Sequence, residues 1–387
     1  MFTAKPLSVF HICSDYARQS LYPELLRSLS AIGVRQFMYV PVRTTMELGV
    51  GQIADDRNIM FRFQHILRYY HKLFFRSKVR KILGDIVEST PVANYQCIHA
   101  HFLYSDGAVA LALHRRFGVP YIVAVRNSDV NAFMRLRPDL VLIRNAVLRH
   151  ASRVVFLSPA YAEHVLGALK PTLGKIVSAK TIIVPNGISA GWLKEVSQIK
   201  EIDCIPGSIL RLLYVGDFTP NKNVAGIISA FQLLQAERPT TLTIVGGGGD
   251  KGGHIQALLD RYASSGVTYL GKVLDRALLQ SIYRTHDVFL MPSFHETFGR
   301  SYIEALSQGV PVVHSQGQAI DGYFEDGTVA AAVDPRSASS IAAGVREVAL
   351  RLPAIRQTCR EQASRFEWSA IGETYRQVYY SILGDLS

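Results

Sequence analysis

The segment Asp287–His314 constrains the fold most, because it contains two apolar runs with a helical pattern between them. The first run, residues 288–291, is short and ends at a Pro-Ser pair, which is typical of a buried strand. Ile303 and Leu306 then fall at helical spacing, and Gly309 lies where a helix C-cap is expected. This order of strand, loop, helix and strand predicts an α/β sheet, in which ligands bind beyond the carboxyl ends of the strands.

The loop before this helix has the residues of a nucleotide-sugar site. Backbone N–H groups near a helix N-terminus bind phosphate, and Gly299 allows the backbone to approach a ligand closely. A carboxylate can accept hydrogen bonds from two neighbouring hydroxyls, such as those of a ribose. Glu296 and Glu304 are eight residues apart, so two helical turns would place them on one side of the helix start. The alternative is a pair of solvated charges on an exposed helix face.

Length and composition indicate a two-domain globular protein. The chain has 387 residues, of which 48% are hydrophobic and 19% charged, and this excludes a disordered chain. No apolar run approaches the roughly 20 residues of a membrane-spanning helix. The N-terminal apolar run, broken at His11, predicts a first core strand rather than a signal peptide. The cysteines form no CxxC pair, which favours reduced thiols in a cytoplasmic protein. They are Cys13, Cys97, Cys204 and Cys359.

Basic residues are concentrated in the first half of the chain. Residues 1–190 contain 24 Lys and Arg against 11 Asp and Glu, whereas residues 191–387 contain 18 against 20. The formal net charge of +11 therefore comes from the first half. This asymmetry predicts that the first half meets an anionic partner.

The most basic stretch, residues 57–84, contains eight Lys and Arg and no acid. Aromatic and aliphatic residues fall on one helical stripe and basic residues on another, which predicts a basic amphipathic helix. Its ordinary interpretation is a surface helix that packs on its own domain. The alternatives are contact with an anionic membrane or lipid-linked acceptor, and nucleic acid, for which no recognition module is present. The predicted membrane-contact residues are Arg68, Lys72, Arg76 and Arg80.

Two further polar clusters follow predicted strands in the first half. His99 and His101 end one strand, and Arg126, Asn127 and Asp129 end the next, so both clusters are expected at one sheet edge. No third His lies near the histidines in sequence, and the two form no recognised metal-binding spacing, so we expect no metal there. A role in binding sugar hydroxyls or in structural hydrogen bonds is favoured for them. An arginine can bind phosphate bidentately.

Several motifs resemble the family 4 retaining glycosyltransferases. The run PSFHETFGRSYIEALSQGVPVV, from residue 292, resembles the family's signature of two Glu separated by seven residues. The run VPNGIS, from residue 184, resembles the hinge that ends the first domain. The block DFTPNK resembles the family's Gly-Arg…Lys motif, with Lys222 in place but Asp217 where the family has Arg. The residues around Arg126 resemble the acceptor-domain core, especially that of bacterial surface-polysaccharide transferases, with Arg126 in the place of a His.

This resemblance implies the GT-B architecture, an α/β fold with two doubly wound Rossmann-like domains facing across a cleft. An N-terminal acceptor-binding domain is expected over residues 1–190. A nucleotide-sugar-binding domain is expected over residues 191–367. A last helix over residues 368–387 is expected to pack back on the first domain.

The resemblance also implies roles for individual residues. Glu296 would hold the sugar hydroxyls, Glu304 the ribose, and Lys222 with the Gly299 region the leaving diphosphate. The predicted catalytic residues are Glu296, Arg126 and His101. The predicted donor-binding residues are Gly216, Lys222, Val273, Thr297, Phe298, Gly299, Arg300 and Glu304. The predicted acceptor-binding residues are His99, Asn127 and Asp129.

The function implied is transfer of a sugar, with retention, from a UDP- or GDP-sugar to a hydroxyl of a glycan or polyprenyl-diphosphate-linked acceptor. A part in cell-surface polysaccharide synthesis is expected, in the cytoplasm or peripherally on the inner face of the plasma membrane. No DxD motif is present, so no metal or other cofactor is expected. Two alternatives are a nucleotide-sugar epimerase of the same fold and a catalytically degenerate binding protein.

Overall fold

The chain forms two compact units, which are described separately. The computed structural model describes residues 6–193, 209–248, 259, 261 and 265–384. The first unit comprises Met1–Leu157, Ala162–Gly187 and Trp368–Ser387, and the second comprises Ser158–Tyr161 and Ile188–Glu367. The chain thus passes between units at Gly187, within the run VPNGIS.

The first unit is built on a parallel sheet of seven strands in the order β3-β2-β1-β4-β5-β6-β7. Most of its residues are apolar and buried on both faces, as expected of strands covered by helices on either side. The strands are β1 Ser8–Ile12, β2 Arg35–Val42, β3 Ile59–His65, β4 Cys97–Ala100, β5 Tyr121–Ala124, β6 Arg153–Phe156 and β7 Thr181–Ile183.

Helices connect these strands and cover the sheet. They are α1 Leu21–Ala31, α2 Phe75–Ser89, α3 Ser105–Phe117, α4 Val141–His150, α5 Pro159–Gly167 and α6 Pro171–Ser178. The helix α3 ends at Gly118, whose φ of 74° is the left-handed C-cap conformation that glycine adopts without strain. The connections place the carboxyl ends of β1, β4 and β5 beside one another.

The C-terminal helix α12, Trp368–Gly384, packs against α1 of the first unit. Trp368 and Tyr375 join Leu25 and Leu29 in one buried cluster. The two helices approach closely at Gly372, where a Cβ atom would lie 2.8 Å from the Ser28 hydroxyl oxygen. A residue larger than glycine at this point would therefore push the helices apart.

The second unit is built on a parallel sheet of six strands in the order β10-β9-β8-β11-β12-β13. The strands are β8 Leu210–Gly216, β9 Thr240–Gly246, β10 Val267–Tyr269, β11 Val288–Leu290, β12 Val312–Ser315 and β13 Ala330–Val333. The described helices are α7 Val224–Gln235, α8 Arg276–Arg284, α9 Arg300–Ser307, α10 Ala338–Ala349 and α11 Leu352–Ser364.

The prediction of one long basic helix over residues 57–84 is wrong. Residues Ile59–His65 form the strand β3, residues Tyr69–Lys72 form a short 3₁₀ turn, and α2 begins only at Phe75. Phe61 and Phe63 alternate with polar residues, and both pack on the cluster around Tyr16. This two-residue period is that of a strand, and the segment forms a strand for that reason. The four predicted membrane-contact residues therefore share no helical stripe.

All four of these basic side chains are nevertheless exposed. Arg68 precedes the 3₁₀ turn, Lys72 ends it, and Arg76 and Arg80 lie one turn apart on α2. Among the helices of the described ranges, none is both long enough and apolar enough to span a membrane. Cys13, Cys97 and Cys359 are buried free thiols, and Cys204 lies outside the described residues.

Candidate functional site

The point where chain order reverses in the second sheet lies at β8, which has β9 on one side and β11 on the other. Loops that leave β8 and β11 therefore meet at the carboxyl edge, where α/β sheets bind ligands. Asn221, after β8, holds the two loops together. Its side-chain N–H group donates to the His295 carbonyl at 2.7 Å, and its side-chain oxygen accepts from the His295 N–H at 2.8 Å.

Two predicted site residues form an ion pair at this point. The Lys222 ammonium lies 2.6 Å from the Glu296 carboxylate. The Lys222 side chain is 22% exposed and the Glu296 side chain 11%, so the pair is partly shielded from water but still reachable. A second, weaker contact joins the ammonium to the Met291 sulfur at 3.7 Å. The arrangement places a positive and a negative group side by side. The ammonium could bind a diphosphate, and the carboxylate could accept hydrogen bonds from neighbouring sugar hydroxyls.

Glu296 is held by the loop that follows β12 rather than by a helix. Its backbone N–H donates to the Gln318 side-chain oxygen at 3.2 Å, and its carbonyl accepts from the Ala319 N–H at 2.9 Å. The helix α9 begins at Arg300, four residues later. The expectation that two helical turns relate Glu296 to Glu304 is therefore wrong. Gln318, which sequence reasoning missed, could have been suspected because it follows β12 at the same sheet edge.

Glu304 lies in the second turn of α9 and is mostly buried. Its side chain is 14% exposed. Burial raises the pKa of Glu304, and the guanidinium of Arg300, 3.9 Å away, opposes that rise. Within the described part of the chain, the buried Arg300 Nε has no hydrogen-bond partner. Both groups can thus gain hydrogen bonds from a bound ligand.

The residues between Glu296 and α9 shape the loop. Gly299 has a φ of 72°, and a Cβ atom there would lie 2.5 Å from the Tyr302 ring, so glycine is needed for local packing. The Phe298 ring is buried and packs near the Phe366 ring, with centroids 5.8 Å apart. Thr297 is also buried. Of the predicted donor-binding residues, Thr297 and Phe298 thus have side chains that face the protein.

Close backbone contacts define the β9 side of this edge. A Cβ atom on Gly246 would lie 1.8 Å from the Gly216 carbonyl oxygen, so only glycine fits there. The Gly246 N–H donates to the Gly271 carbonyl at 2.8 Å. The strand β10 ends at Tyr269, and the predicted donor-binding residue Val273 lies half-buried in the loop that follows. Gly246 begins the glycine-rich run GGGGDKGG, which lies outside the described residues from residue 249.

In the first unit, polar side chains likewise meet at the carboxyl ends of β1 and β4. Ser14, after β1, donates through its backbone N–H to the Asp106 carboxylate at 3.1 Å and also contacts it through its hydroxyl. The Lys78 ammonium donates to the Ser105 hydroxyl at 2.7 Å. Burial raises the pKa of Asp106 to about 7 and lowers that of Lys78 to about 8. These residues offer exchangeable protons near neutral pH.

Sequence reasoning missed this cluster. Lys78 lies within the basic stretch of residues 57–84, and the first-turn position of Asp106 on α3 is the only local signal for the carboxylate. What brings the groups together is the pairing of β1 with β4, which joins chain segments far apart in sequence.

Asp129 joins the ends of β4 and β5. Its carboxylate accepts from the backbone N–H groups of Arg126 at 2.9 Å, Leu103 at 3.1 Å and Tyr104 at 3.4 Å. Burial raises its pKa to about 6, although the three N–H groups act in the opposite direction. The three backbone N–H groups therefore use most of the hydrogen-bond accepting capacity of this carboxylate. A hydroxyl of the acceptor substrate could bind only to its remaining lone pairs.

The predicted residues Arg126 and Asn127 differ in exposure. The Arg126 side chain is buried and donates to the Asn186 side-chain oxygen at 3.0 Å. Asn127 is exposed, and its side-chain oxygen accepts from the Asn131 amide. Asn127 is thus the predicted acceptor-binding residue that an acceptor can reach directly.

His99 and His101 are fully buried, together with His11 from β1. The ring nitrogens His11 Nδ1 and His101 Nε2 are 3.1 Å apart, and His99 Nδ1 lies 2.8 Å from the Tyr379 hydroxyl. Burial lowers all three pKa values, that of His11 to about 3, so the rings are neutral. His99 and His101 are predicted to contact substrate. Neither ring is exposed, so the structure does not support these roles.

Within the described residues, these histidines are the one set of three His, Cys, Asp or Glu side chains whose ligand atoms lie within 4.8 Å of one another. His99 and His101 are stacked, with centroids 4.0 Å apart and planes inclined by 23°. Stacked rings direct their nitrogens along nearly parallel planes rather than towards one shared point. We therefore interpret the set as a hydrogen-bonded core cluster.

Family models match both units. The model described as Glycosyl transferase 4-like domain matches residues 25–187, and the model described as Glycosyl transferases group 1 matches residues 210–350. This chain belongs to the family 4 glycosyltransferases of the GT-B fold. The predicted family and fold are thereby confirmed.

Known proteins agree with this assignment. This family 4 glycosyltransferase is 26% identical over 311 residues to D-inositol 3-phosphate glycosyltransferase 2 of Catenulispora acidiphila, covering 76% of this chain and 72% of the relative. It is 33% identical over 163 residues to O-antigen chain mannosyltransferase B of Escherichia coli, covering 40% and 42% of the two chains. The structure of Anabaena HepE in complex with UDP matches with a TM-score of 0.72, 15% identity, and coverage of 97% and 100%.

This family 4 glycosyltransferase departs from its family's pattern at Asp217. The Asp217 side chain is exposed, and its carbonyl accepts from the Tyr214 hydroxyl at 2.8 Å. An exposed carboxylate cannot replace an arginine on phosphate. Among the described residues, Lys222 and Arg300 are cations of this edge that could bind phosphate in its place.

Proposed function

We propose that this glycosyltransferase transfers a sugar from a UDP- or GDP-sugar to a hydroxyl group, with retention at the anomeric carbon. The Lys222–Glu296 ion pair at the turning point of the second sheet is the observation on which this rests. A diphosphate can take over the ammonium, and this frees the carboxylate for the sugar hydroxyls. HepE, which has a similar fold, was solved with UDP.

The remaining donor contacts follow from the same edge. Glu304 accepts hydrogen bonds from the ribose, and the Arg300 guanidinium and the N–H groups at the start of α9 bind phosphate. These donors stabilise the charge that develops on the leaving diphosphate. We propose that the leaving phosphate takes the acceptor proton and that transfer requires no divalent metal.

The acceptor is proposed to be a glycan or a polyprenyl-diphosphate-linked sugar of a cell-surface polysaccharide. The relative from Escherichia coli is an O-antigen chain mannosyltransferase. The basic first half of this chain suits an anionic acceptor or an anionic membrane surface. We place the enzyme in the cytoplasm, on the inner face of the plasma membrane.

Thermal stabilisation by a panel of nucleotide sugars tests the donor assignment, because a ligand that binds the folded state raises the melting temperature by mass action. The stabilising donor is then incubated with a panel of acceptors, with and without EDTA, and the anomeric configuration of the product is read by NMR. A transferred sugar with retained configuration in EDTA is expected. Stabilisation by no nucleotide sugar would contradict the proposal.

Two other functions have distinct outcomes in the same assay. A nucleotide-sugar epimerase would convert the free donor into its isomer without an acceptor. A binding protein would be stabilised by the donor but would neither transfer nor slowly hydrolyse it. The exposed Asp217, in the place of a phosphate-binding arginine, is the observation that favours the second of these.

A further inference from the structure

An apolar groove of about 450 Å³ opens on the surface of the first unit. It runs between α2 and α4, and α3 forms its floor. Its apolar lining is mostly aliphatic, and five of these aliphatic residues come from all three helices. These are Val79, Leu83, Leu111, Ile143 and Ala146.

Apolar side chains also stand on the outer surface around this groove. Leu142, on its α4 wall, is 78% exposed. Leu73 and Phe74, immediately before α2, are 75% and 61% exposed. Single exposed apolar residues need no explanation, but a cluster of them beside an apolar groove marks an interaction surface.

Positive charge surrounds the same opening. Arg76 and Arg80 on α2 and Arg115 on α3 line the groove and are exposed. All the lining residues fall within the described range 75–146, and none of them is acidic. Asp139, close enough to Arg76 to be influenced by its charge, is already bound by the Arg137 guanidinium at 2.7 Å. The groove thus combines an aliphatic interior with a cationic border.

We propose that this groove binds one acyl chain of an anionic membrane phospholipid, with the phosphate held by Arg76, Arg80 and Arg115. An aliphatic interior offers an acyl chain burial but offers a peptide backbone no hydrogen-bonding partners. The exposed Leu73, Phe74 and Leu142 enter the boundary between headgroups and acyl chains, as on other interfacial surfaces. The proposal deepens the membrane contact of the proposed function by naming its site and ligand.

The first test uses a tryptophan placed at the groove. Leu142→Trp is mixed with vesicles of phosphatidylcholine and phosphatidylglycerol, with and without bromine on the acyl chains. We expect a blue shift of the added emission and quenching by the brominated chains. Met46→Trp is the matched control, because Met46 is 87% exposed in the same unit and does not line the groove. Its emission should not respond to bromine.

The second test uses charge. Arg76→Glu with Arg80→Glu should weaken binding to these vesicles by more than about twentyfold, since each basic residue near an anionic surface contributes about fivefold. Arg35→Glu with Arg57→Glu makes the same change in net charge at exposed residues that do not line the groove. This control pair should retain most of the binding. Equal losses in both pairs would show a diffuse charge effect and overturn the site.

The third test fills the groove. Ala146→Phe should reduce bromine quenching of Leu142→Trp while circular dichroism and melting temperature stay near those of the parent. Where that variant does not fold, the smaller change Ala146→Leu serves instead. Quenching that is unaffected by a folded groove-filling variant would overturn the acyl-chain assignment.

Other outcomes also decide the question. Sedimentation with vesicles but no bromine quenching would mean that only charge holds the protein at the surface, against the proposal. Binding of farnesyl phosphate, with no binding to vesicles, would assign the groove to a prenyl acceptor instead. None of these measurements uses a nucleotide sugar, so their failure is distinguishable from failure of the proposed transfer, which is assayed with a short water-soluble acceptor.

Discussion

The Lys222 ammonium lies 2.6 Å from the Glu296 carboxylate, although the two residues belong to loops after different strands. β8 and β11 are neighbours in the sheet, which brings the loops together, and Asn221 fixes them. A partly buried pair of this kind leaves a costly lone charge when one partner is removed. In the proposed reaction, the diphosphate is the group that replaces Glu296 as the partner of Lys222.

Removing the lysine should therefore weaken donor binding. Lys222→Ala is expected to lower affinity for the nucleotide diphosphate by about ten- to hundredfold, the value of a charge-assisted hydrogen bond of about 1.5–3 kcal/mol. Lys222→Arg, which keeps the charge, should retain part of it. Isothermal titration calorimetry with UDP and GDP provides the measurement. Equal affinities for the wild type and folded Lys222→Ala would remove Lys222 from the donor site.

Replacing Glu304 by glutamine should raise the stability of the second unit and lower its affinity for nucleotide. Its pKa in the folded protein is raised by burial. Stability from this group is therefore present at pH values below the unfolded pKa and is lost as the pH rises through the folded pKa. Above the unfolded pKa, keeping this carboxyl group buried therefore costs stability. Glu304→Gln should then make the second unit more stable and yet bind nucleotide about tenfold less tightly, since a charge-assisted hydrogen bond is replaced by a neutral one.

The two effects can be measured separately. The chain has two tryptophans, Trp192 in the second unit and Trp368 in the first. In a Trp368→Phe background, Trp192 fluorescence reports urea unfolding of the second unit, and calorimetry reports nucleotide affinity. A loss of both stability and affinity in Glu304→Gln would show a structural role and contradict the assignment to ribose.

The sequence was sufficient to predict the two sheets and the order of strand, loop, helix and strand over residues 287–314. It was insufficient where one local pattern is compatible with both a helix and a strand. The stretch 57–84 has basic residues at helical spacing, whereas Ile59–His65 within it has aromatic residues at strand spacing, and only pairing with β2 decides the structure of this segment. The hydrogen-bond partners of buried polar groups could not be predicted from the sequence either. Nothing near Ser14 in sequence points to Asp106, and nothing near His11 points to His101.

Arg126 should matter more for turnover than for folding. Its backbone N–H binds the Asp129 carboxylate, and that contact survives any change of side chain. The side chain itself contacts Asn186 at 3.0 Å. Arg126→Ala is therefore expected to reduce kcat at least about tenfold while melting within a few degrees of the wild type. Asn186→Ala removes a hydrogen-bond acceptor of this side chain and serves as the matched control.

Rescue distinguishes the two roles of Arg126. If the variant has lost a phosphate-binding cation, added guanidinium at millimolar concentration should restore part of the turnover without changing the melting temperature. If Arg126→Ala unfolds and regains activity when the protein is stabilised by other means, the residue is structural and its placement among the catalytic residues is wrong.

His11 should make the first unit less stable in acid. Its pKa falls from 6.5 to about 3 on burial, so below pH 6.5 the unfolded chain binds a proton that the folded protein rejects. The free energy of unfolding should decrease as the pH falls from about 6.5 towards 3, by up to about 1.4 kcal/mol per pH unit for this residue. His11→Gln cannot ionise and should reduce that slope by the same amount. The raised pKa values of Asp106 and Asp129 act with the opposite sign, but they are present in both proteins and largely cancel in the difference. Urea unfolding between pH 4 and 7.5 in a Trp192→Phe background, read by Trp368 in the first unit, gives the two slopes, and identical slopes would show that His11 is protonated in the folded protein.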